Sequence, residues 1–217
     1  MTTDTKPIAR RTRILDAAEK LFAQHGFDGV TLRQIAKEAE VDLALPNYYF
    51  GPKRDLFDAV FNRRSQILND IRISDLEACI EQATPNPPSV RGIIKAYLRP
   101  LLIGQDMSDE GWRNYYALVA YVNNSRDWGG ILMSEFFDTM VYRFMEALRM
   151  ALPDADDADL YWCYHCLSGA LTLTFAQTGR LDKLSNGLCK STDLEAAYQR
   201  MVDFVTAGIE RVCKDKA

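Results

Sequence analysis

Between residues 31 and 53 the apolar residues recur at helical spacing, break at a tight turn, and recur again. That pattern constrains the chain more than any other stretch. Thr31 is placed to cap a short helix whose buried face is Leu32, Ile35, Ala36 and Ala39. The pattern breaks at Glu40 and Val41. Asp42 then caps a second short helix, predicted over about 43–49, and Gly51 with Pro52 ends it. Two short helices with buried small residues between them form a helix-turn-helix pattern. Ala36 lets the helices cross closely and Val41 plugs the angle. In such a unit the second helix keeps its outer face in water, free to enter a DNA major groove N-terminal residues first.

The remaining residues read as helix, and no stretch alternates with period two. A first helix is predicted over 8–25, with Ile14, Leu15, Ala18, Leu21 and Phe22 at three- and four-residue spacing and Gly26 as its stop. A long helix follows over about 53–82. Residues 83–89 carry three prolines and read as a linker. Beyond it helices are predicted at about 89–104, 109–124, 127–151, 155–179 and 193–213. Asp109, Asp127 and the acidic run at 154–159 lie near their starts, where carboxylates suit the helix dipole. The predicted fold is all-α with about nine helices. A helix-turn-helix head over 8–52 joins a larger helical body over 53–217.

Composition supports this reading. Hydrophobic residues make up 47% and charged residues 26%, enough for a sizeable core without a disulfide scaffold or a metal. The five cysteines (Cys79, Cys163, Cys166, Cys189, Cys213) are odd in number and lack framework spacing, which points to a reducing cytoplasm. Residues 1–13 are polar and basic, unlike a signal or an anchor. No apolar run approaches the ~20 residues that span a bilayer, so no membrane partner is expected. The net charge of −4 divides unevenly. Residues 1–64 carry 11 basic against 9 acidic side chains and the remainder 15 against 21, a mildly basic head on an acidic body.

The head resembles the DNA-binding domain of tetracycline-repressor-type regulators. The likeness rests on Thr31, Ile35, Ala36, Ala39 and Val41, on the run Asn47-Tyr48-Tyr49-Phe50-Gly51-Pro52-Lys53, and on Leu56. Arg13-Ile14-Leu15-Asp16-Ala17-Ala18, Leu21-Phe22 and Gly26-Phe27 extend it, so it covers about residues 10–60. The resemblance implies a homodimer on a palindromic double-stranded DNA operator, most simply a repressor released by a small-molecule effector, with no enzymatic activity and no cofactor or metal. It implies that Leu43, Ala44 and Leu45 face base edges while Asn47, Tyr48, Tyr49 and Lys53 grip phosphates. Thr31 and Arg33 are further phosphate candidates. The residue types agree: tyrosine hydroxyls on rigid stalks and a lysine at a helix start suit phosphates, and leucines suit thymine methyls. Arg10, Arg11 and Arg13 read equally as a DNA arm or a solvated tail. The sequence departs from the family pattern at four positions. Glu40 replaces the usual turn glycine, which predicts a residue held at positive φ. Asp42 replaces the usual Ser or Thr cap, Tyr49 the usual His, and Pro46 a bulky aliphatic inside the recognition helix.

Two features of the body admit two readings each. Cys163-Tyr164-His165-Cys166 has C-x-x-C spacing but no second pair for a zinc site, and both thiols also suit buried packing. The aromatics between 97 and 144 are core or the wall of a mostly apolar pocket. As pocket residues the expected set is Trp112, Tyr116, Phe137, Met140 and Phe144, which suits a small apolar or aromatic effector. The last two helices are expected at the dimer interface. Two other functions are compatible with an all-α chain: an enzyme, against which stands the lack of a nucleophile–base pair or phosphate loop, and an adaptor whose head binds protein.

Overall fold

The computed structural model describes residues 5–214, with side chains for 7–213, so the first four residues of the basic N-terminal stretch lie outside the described residues. Among those residues there are ten helices and no strand. The head comprises α1 (Thr5–His25), α2 (Leu32–Glu38) and α3 (Leu45–Phe50). The body comprises α4 (Lys53–Ala83), α5 (Val90–Leu102), α6 (Glu110–Asn123), α7 (Gly129–Ala151), α8 (Asp157–Ala176), α9 (Arg180–Leu184) and α10 (Leu194–Lys214). None is long and apolar enough to cross a membrane.

Local chemistry sets these boundaries. Gly26 stops α1 in the left-handed region at φ +69°. A capping box opens α2: the Thr31 hydroxyl accepts from the Gln34 amide at 3.3 Å, and the Gln34 side chain accepts from the Thr31 amide at 2.8 Å. The turn between α2 and α3 places Glu40 at φ +52°, as the missing glycine predicts. The Val41 amide there donates to the Ala36 carbonyl at 3.0 Å. Helix α3 starts two residues later than the sequence suggests, at Leu45. The Asp42 carboxylate accepts from the Ala44 amide at 2.9 Å, spending residues 42–44 on a turn. Pro46 therefore lies in the first turn, where its missing N–H breaks no helical bond.

The body helices follow the predicted order, several opened by a capping side chain, whereas α7 opens after Trp128 with no side-chain cap from Asp127. Ser89, Asp109 and Asp156 accept backbone N–H bonds at the starts of α5, α6 and α8. The difference lies after α8, which ends at Ala176 rather than near 179. Gly179 then starts the five-residue α9 in a region expected to be loop. A single turn of helix is too short to show a 3.6-residue period.

Helix α4 joins head and body through an aromatic spine. Its Phe57 meets Phe22 of α1 edge-on at 5.0 Å and Trp128 at 5.5 Å. Phe61, one turn on, meets Tyr115 of α6 at 5.7 Å and Phe137 of α7 at 6.0 Å. Both phenylalanines are fully buried, so the core runs unbroken from head to body.

Because Glu40 pays the left-handed penalty without contributing a buried side chain, Glu40→Gly should raise stability by about 1 kcal/mol in urea unfolding.

Candidate nucleic-acid interface and ligand cavity

Helix α3 is held by one side and open on the other. Pro46 is buried, while Leu45, Tyr49 and Phe50 are half-buried against the head. Ala44, Asn47 and Tyr48 face outward, Tyr48 being 79% exposed, and Leu43 in the preceding turn is 57% exposed. Tyr49 braces Tyr48 edge-on at 5.3 Å. A large exposed aromatic on a six-residue helix, with an exposed leucine in the turn before it, has no role in packing the head. Its geometry suits insertion into a groove about as wide as a helix.

The other expected contact residues divide by what already occupies them. Arg33 is exposed at the start of α2, beside exposed Thr31, whose hydroxyl serves the capping box. The Lys53 ammonium donates to the carbonyls of Phe27 at 2.9 Å and Val30 at 3.0 Å and lies 4.2 Å from the Phe27 ring centroid. It thus ties the α1–α2 loop to the start of α4. Arg10, Arg11 and Arg13 are exposed within α1 rather than in a loose tail, and the Arg11 guanidinium lies over the Phe50 ring at 4.9 Å. That contact brings the basic start of α1 beside the end of α3.

Head and body meet at a buried carboxylate. Glu19 of α1 is 2% exposed and pairs with both Arg63 and Arg64 of α4. Arg63 also reaches Asp16 at 2.7 Å and Arg64 reaches Asp109, the cap of α6, at 3.5 Å. The Arg64 guanidinium covers the Trp112 ring at 4.7 Å. Gly111 permits this approach, because a Cβ there would fall 1.7 Å from an Arg64 nitrogen. The other end of α6 also touches the head: the Phe27 amide donates to the Tyr121 hydroxyl at 3.2 Å.

Between these two anchors α6 walls a cavity of about 270 Å³, with Tyr115, Tyr116, Val119 and Asn123 on it. Helix α4 adds Arg72, α7 adds Phe137, and α8 adds Tyr164 and Phe175. The ring of Phe175 stacks on Tyr116 at 4.5 Å and 9°. Of the five residues expected in a pocket, Tyr116 and Phe137 line this cavity. Trp112 instead packs beneath Arg64 toward the head. Met140 lies behind Arg72, its sulfur accepting from Arg72 Nη1 at 3.8 Å. Phe144 meets Tyr97 edge-on at 5.0 Å beside a gap of only about 20 Å³. Sequence reasoning missed Arg72, although a signal exists: it falls between Leu68 and Leu76 at four-residue spacing, a charge inside the apolar stripe of α4.

The cysteine pair divides as well. Cys166 is exposed, whereas burial, followed by the neighbouring Cys213, pushes the Cys163 thiol up to about 12. A thiol so protonated is a poor nucleophile and a poor metal ligand. No group of side chains able to hold a metal occurs among the described residues.

A head whose second short helix stands open to solvent on an α-helical body defines the helix-turn-helix class. Residues 14–60 match the bacterial regulatory proteins of the tetR family, and residues 95–208 match the tetracyclin repressor-like C-terminal domain. The chain belongs to the tetracycline-repressor family. It is 33% identical over 107 residues to the HTH-type transcriptional regulator BetI of Brucella canis, covering 49% of this chain and 52% of that protein. It thus spans about half the length of the curated relatives it matches. Over 55 residues it is 46% identical to the transcriptional regulator HbdR of Aromatoleum sp., covering 25% of this chain and 24% of that one. The fold is similar to that of the fatty acid degradation regulator FadR from Bacillus halodurans, with a TM-score of 0.66, 18% identity, and coverage of 92% and 95% of the two chains. These relatives are regulators rather than enzymes.

Removing the charge of Glu19 strands two arginines in a largely buried position. Glu19→Gln should therefore cost about 3 kcal/mol of stability in urea unfolding.

Proposed function

We propose that this chain is a cytoplasmic, ligand-responsive repressor that binds a palindromic DNA operator as a homodimer. The observation that carries the reading is the open face of α3 and the turn before it, where Asn47 and Tyr48, with Leu43 and Ala44, stand in solvent above a buried inner face. In this reading Leu43, Ala44 and Leu45 meet base edges. Asn47, Tyr48 and Tyr49 hold phosphates, with Thr31, Arg33 and Lys53 at the flanks. Leucines cannot hydrogen-bond a base, so groove shape supplies part of the specificity.

The dimer is supported by the outer faces of α8 and α10. Trp162 and Leu173 of α8 are each 66% exposed and Phe204 of α10 is 77% exposed. Gly169 and Gly208 lie exposed on the same two helices, with open space where a side chain would stand. Large apolar groups beside small ones on adjacent helices suit a self-complementary two-fold contact. Leu194, Tyr198 and Val205 of α10 are buried in the protomer's own core.

Effector response is supported by α6, which walls the cavity along its middle and touches the head at both ends. A small, largely apolar or aromatic effector that fits one placement of α6 better than another shifts the population of head positions. The spacing of the two recognition helices shifts with it.

Duplexes selected from random DNA provide the test. Tyr48→Phe should weaken binding by about tenfold on every selected duplex, the loss of one phosphate hydrogen bond per half-site. Leu43→Ala should instead change which base is preferred at one position per half-site. Equal losses on every duplex from both variants would contradict these roles. Phe204→Glu should convert the dimer to a monomer by light scattering; an unchanged mass would remove α10 from the interface.

A further inference from the structure

We infer that the cavity beside α6 takes a small carboxylic acid with an apolar, aromatic-sized body, its carboxylate held by Arg72 and Tyr116. This rests on the reading of that cavity as the effector site. Arg72 is 4% exposed and takes part in no ion pair among the described residues. Its acceptors are neutral and distant: the Tyr97 carbonyl at 3.3 Å, the Asn69 amide oxygen at 3.4 Å and the Met140 sulfur at 3.8 Å. Its guanidinium also lies over the Tyr97 ring at 4.3 Å. A guanidinium removed from water and facing only neutral groups is costly, and a carboxylate is the group whose geometry matches its planar fork.

A second polar group lining the same cavity lacks a partner. The Tyr116 hydroxyl is buried and makes no hydrogen bond, although buried hydroxyls normally find an acceptor. Burial raises the pKa of Tyr116, and likewise those of Tyr115 and Tyr97, so these phenols remain neutral hydrogen-bond donors rather than anions. A carboxylate supplies acceptors for the phenol and the guanidinium together.

The rest of the wall describes the ligand's body. Leu101, Val119, Phe137, Leu171 and Phe175 are apolar, and the Tyr116–Phe175 stack offers a flat ring surface. The volume of about 270 Å³ equals roughly nine waters at about 30 Å³ each, room for a single-ring or medium-chain acid. Asp138 and His165 are the other ionisable side chains on the wall besides the tyrosines and Arg72. His165 is exposed and Asp138 partly so, and Asp138 forms no ion pair with Arg72 among the described residues.

Calorimetric titration of the full chain without DNA tests the assignment. The probes are benzoate, phenylacetate and octanoate, each beside its amide, with benzylamine as the cationic counterpart. At least one acid should bind at one per chain, and its amide should bind about tenfold more weakly or worse. Arg72→Met should abolish the preference for acid over amide, and Tyr116→Phe should weaken the acid severalfold while leaving the amide nearly unchanged. If Arg72→Met does not fold, the acid-to-amide ratio of the unaltered chain and the Tyr116→Phe variant decide the matter. No binding by any acid, equal or tighter binding of an amide or of benzylamine, or an undiminished acid preference in a folded Arg72→Met would overturn the assignment. An acid that binds as described but leaves DNA affinity unchanged would instead contradict the effector reading while leaving the carboxylate site intact.

Discussion

The ion pairs of Glu19 with Arg63 and Arg64 hold the head at its angle to the body. Three helices meet there: α1 supplies the carboxylate, α4 the two guanidinium groups, and α6 presents Asp109 and Trp112 to Arg64. A buried carboxylate tolerates no partial solution, because losing either partner leaves a charge in a low-dielectric site. That makes the junction specific in geometry. The recognition surface on α3 is oriented through it, since α1 and α3 share the head's core with Leu56 and Phe57 of α4.

The same junction lies within a turn of the cavity. Trp112 packs under Arg64, and Tyr115 and Tyr116, three and four residues on, reach the cavity wall. At the far end of α6, Tyr121 bonds the Phe27 amide and packs on Trp128 at 5.9 Å, while Phe27 lies under Lys53. A helix anchored to the head at both ends and to a cavity in the middle cannot move at one place alone. Packed interiors switch between discrete arrangements rather than deforming smoothly, so a ligand against Tyr116 acts on a lever already attached.

The head was the most legible part of the sequence because its signals are local. Thr31 announces a helix cap, Ala36 and Val41 a close crossing, and the absent glycine a residue at positive φ, which is Glu40. Helix α3 starts later than the apolar pattern suggests because Asp42 forms a turn with Ala44 before the helix begins. In the body, periodicity located the long helices but not what their faces meet. Glu19 stands beside Ala18 in an apolar stripe, yet nothing local says that two arginines from a helix more than forty residues away will bury it. Arg72 is similar: its spacing marks it as unusual, and only the packing of α5, α7 and α8 reveals a cavity beside it. Aromatics in one helix could not be divided between core and cavity by period alone, so Trp112 and Tyr116, one turn apart, took different surroundings.

The central claim is that the open face of α3 reads duplex DNA as one half of a two-fold pair. Its most direct test is the salt dependence of binding to a duplex selected from random sequence. The account predicts an enriched palindrome with half-sites about one helical turn apart. With six phosphates neutralised per dimer, affinity should fall by roughly a thousandfold between about 50 and 200 mM salt. No enriched sequence, together with an affinity indifferent to salt, would contradict it.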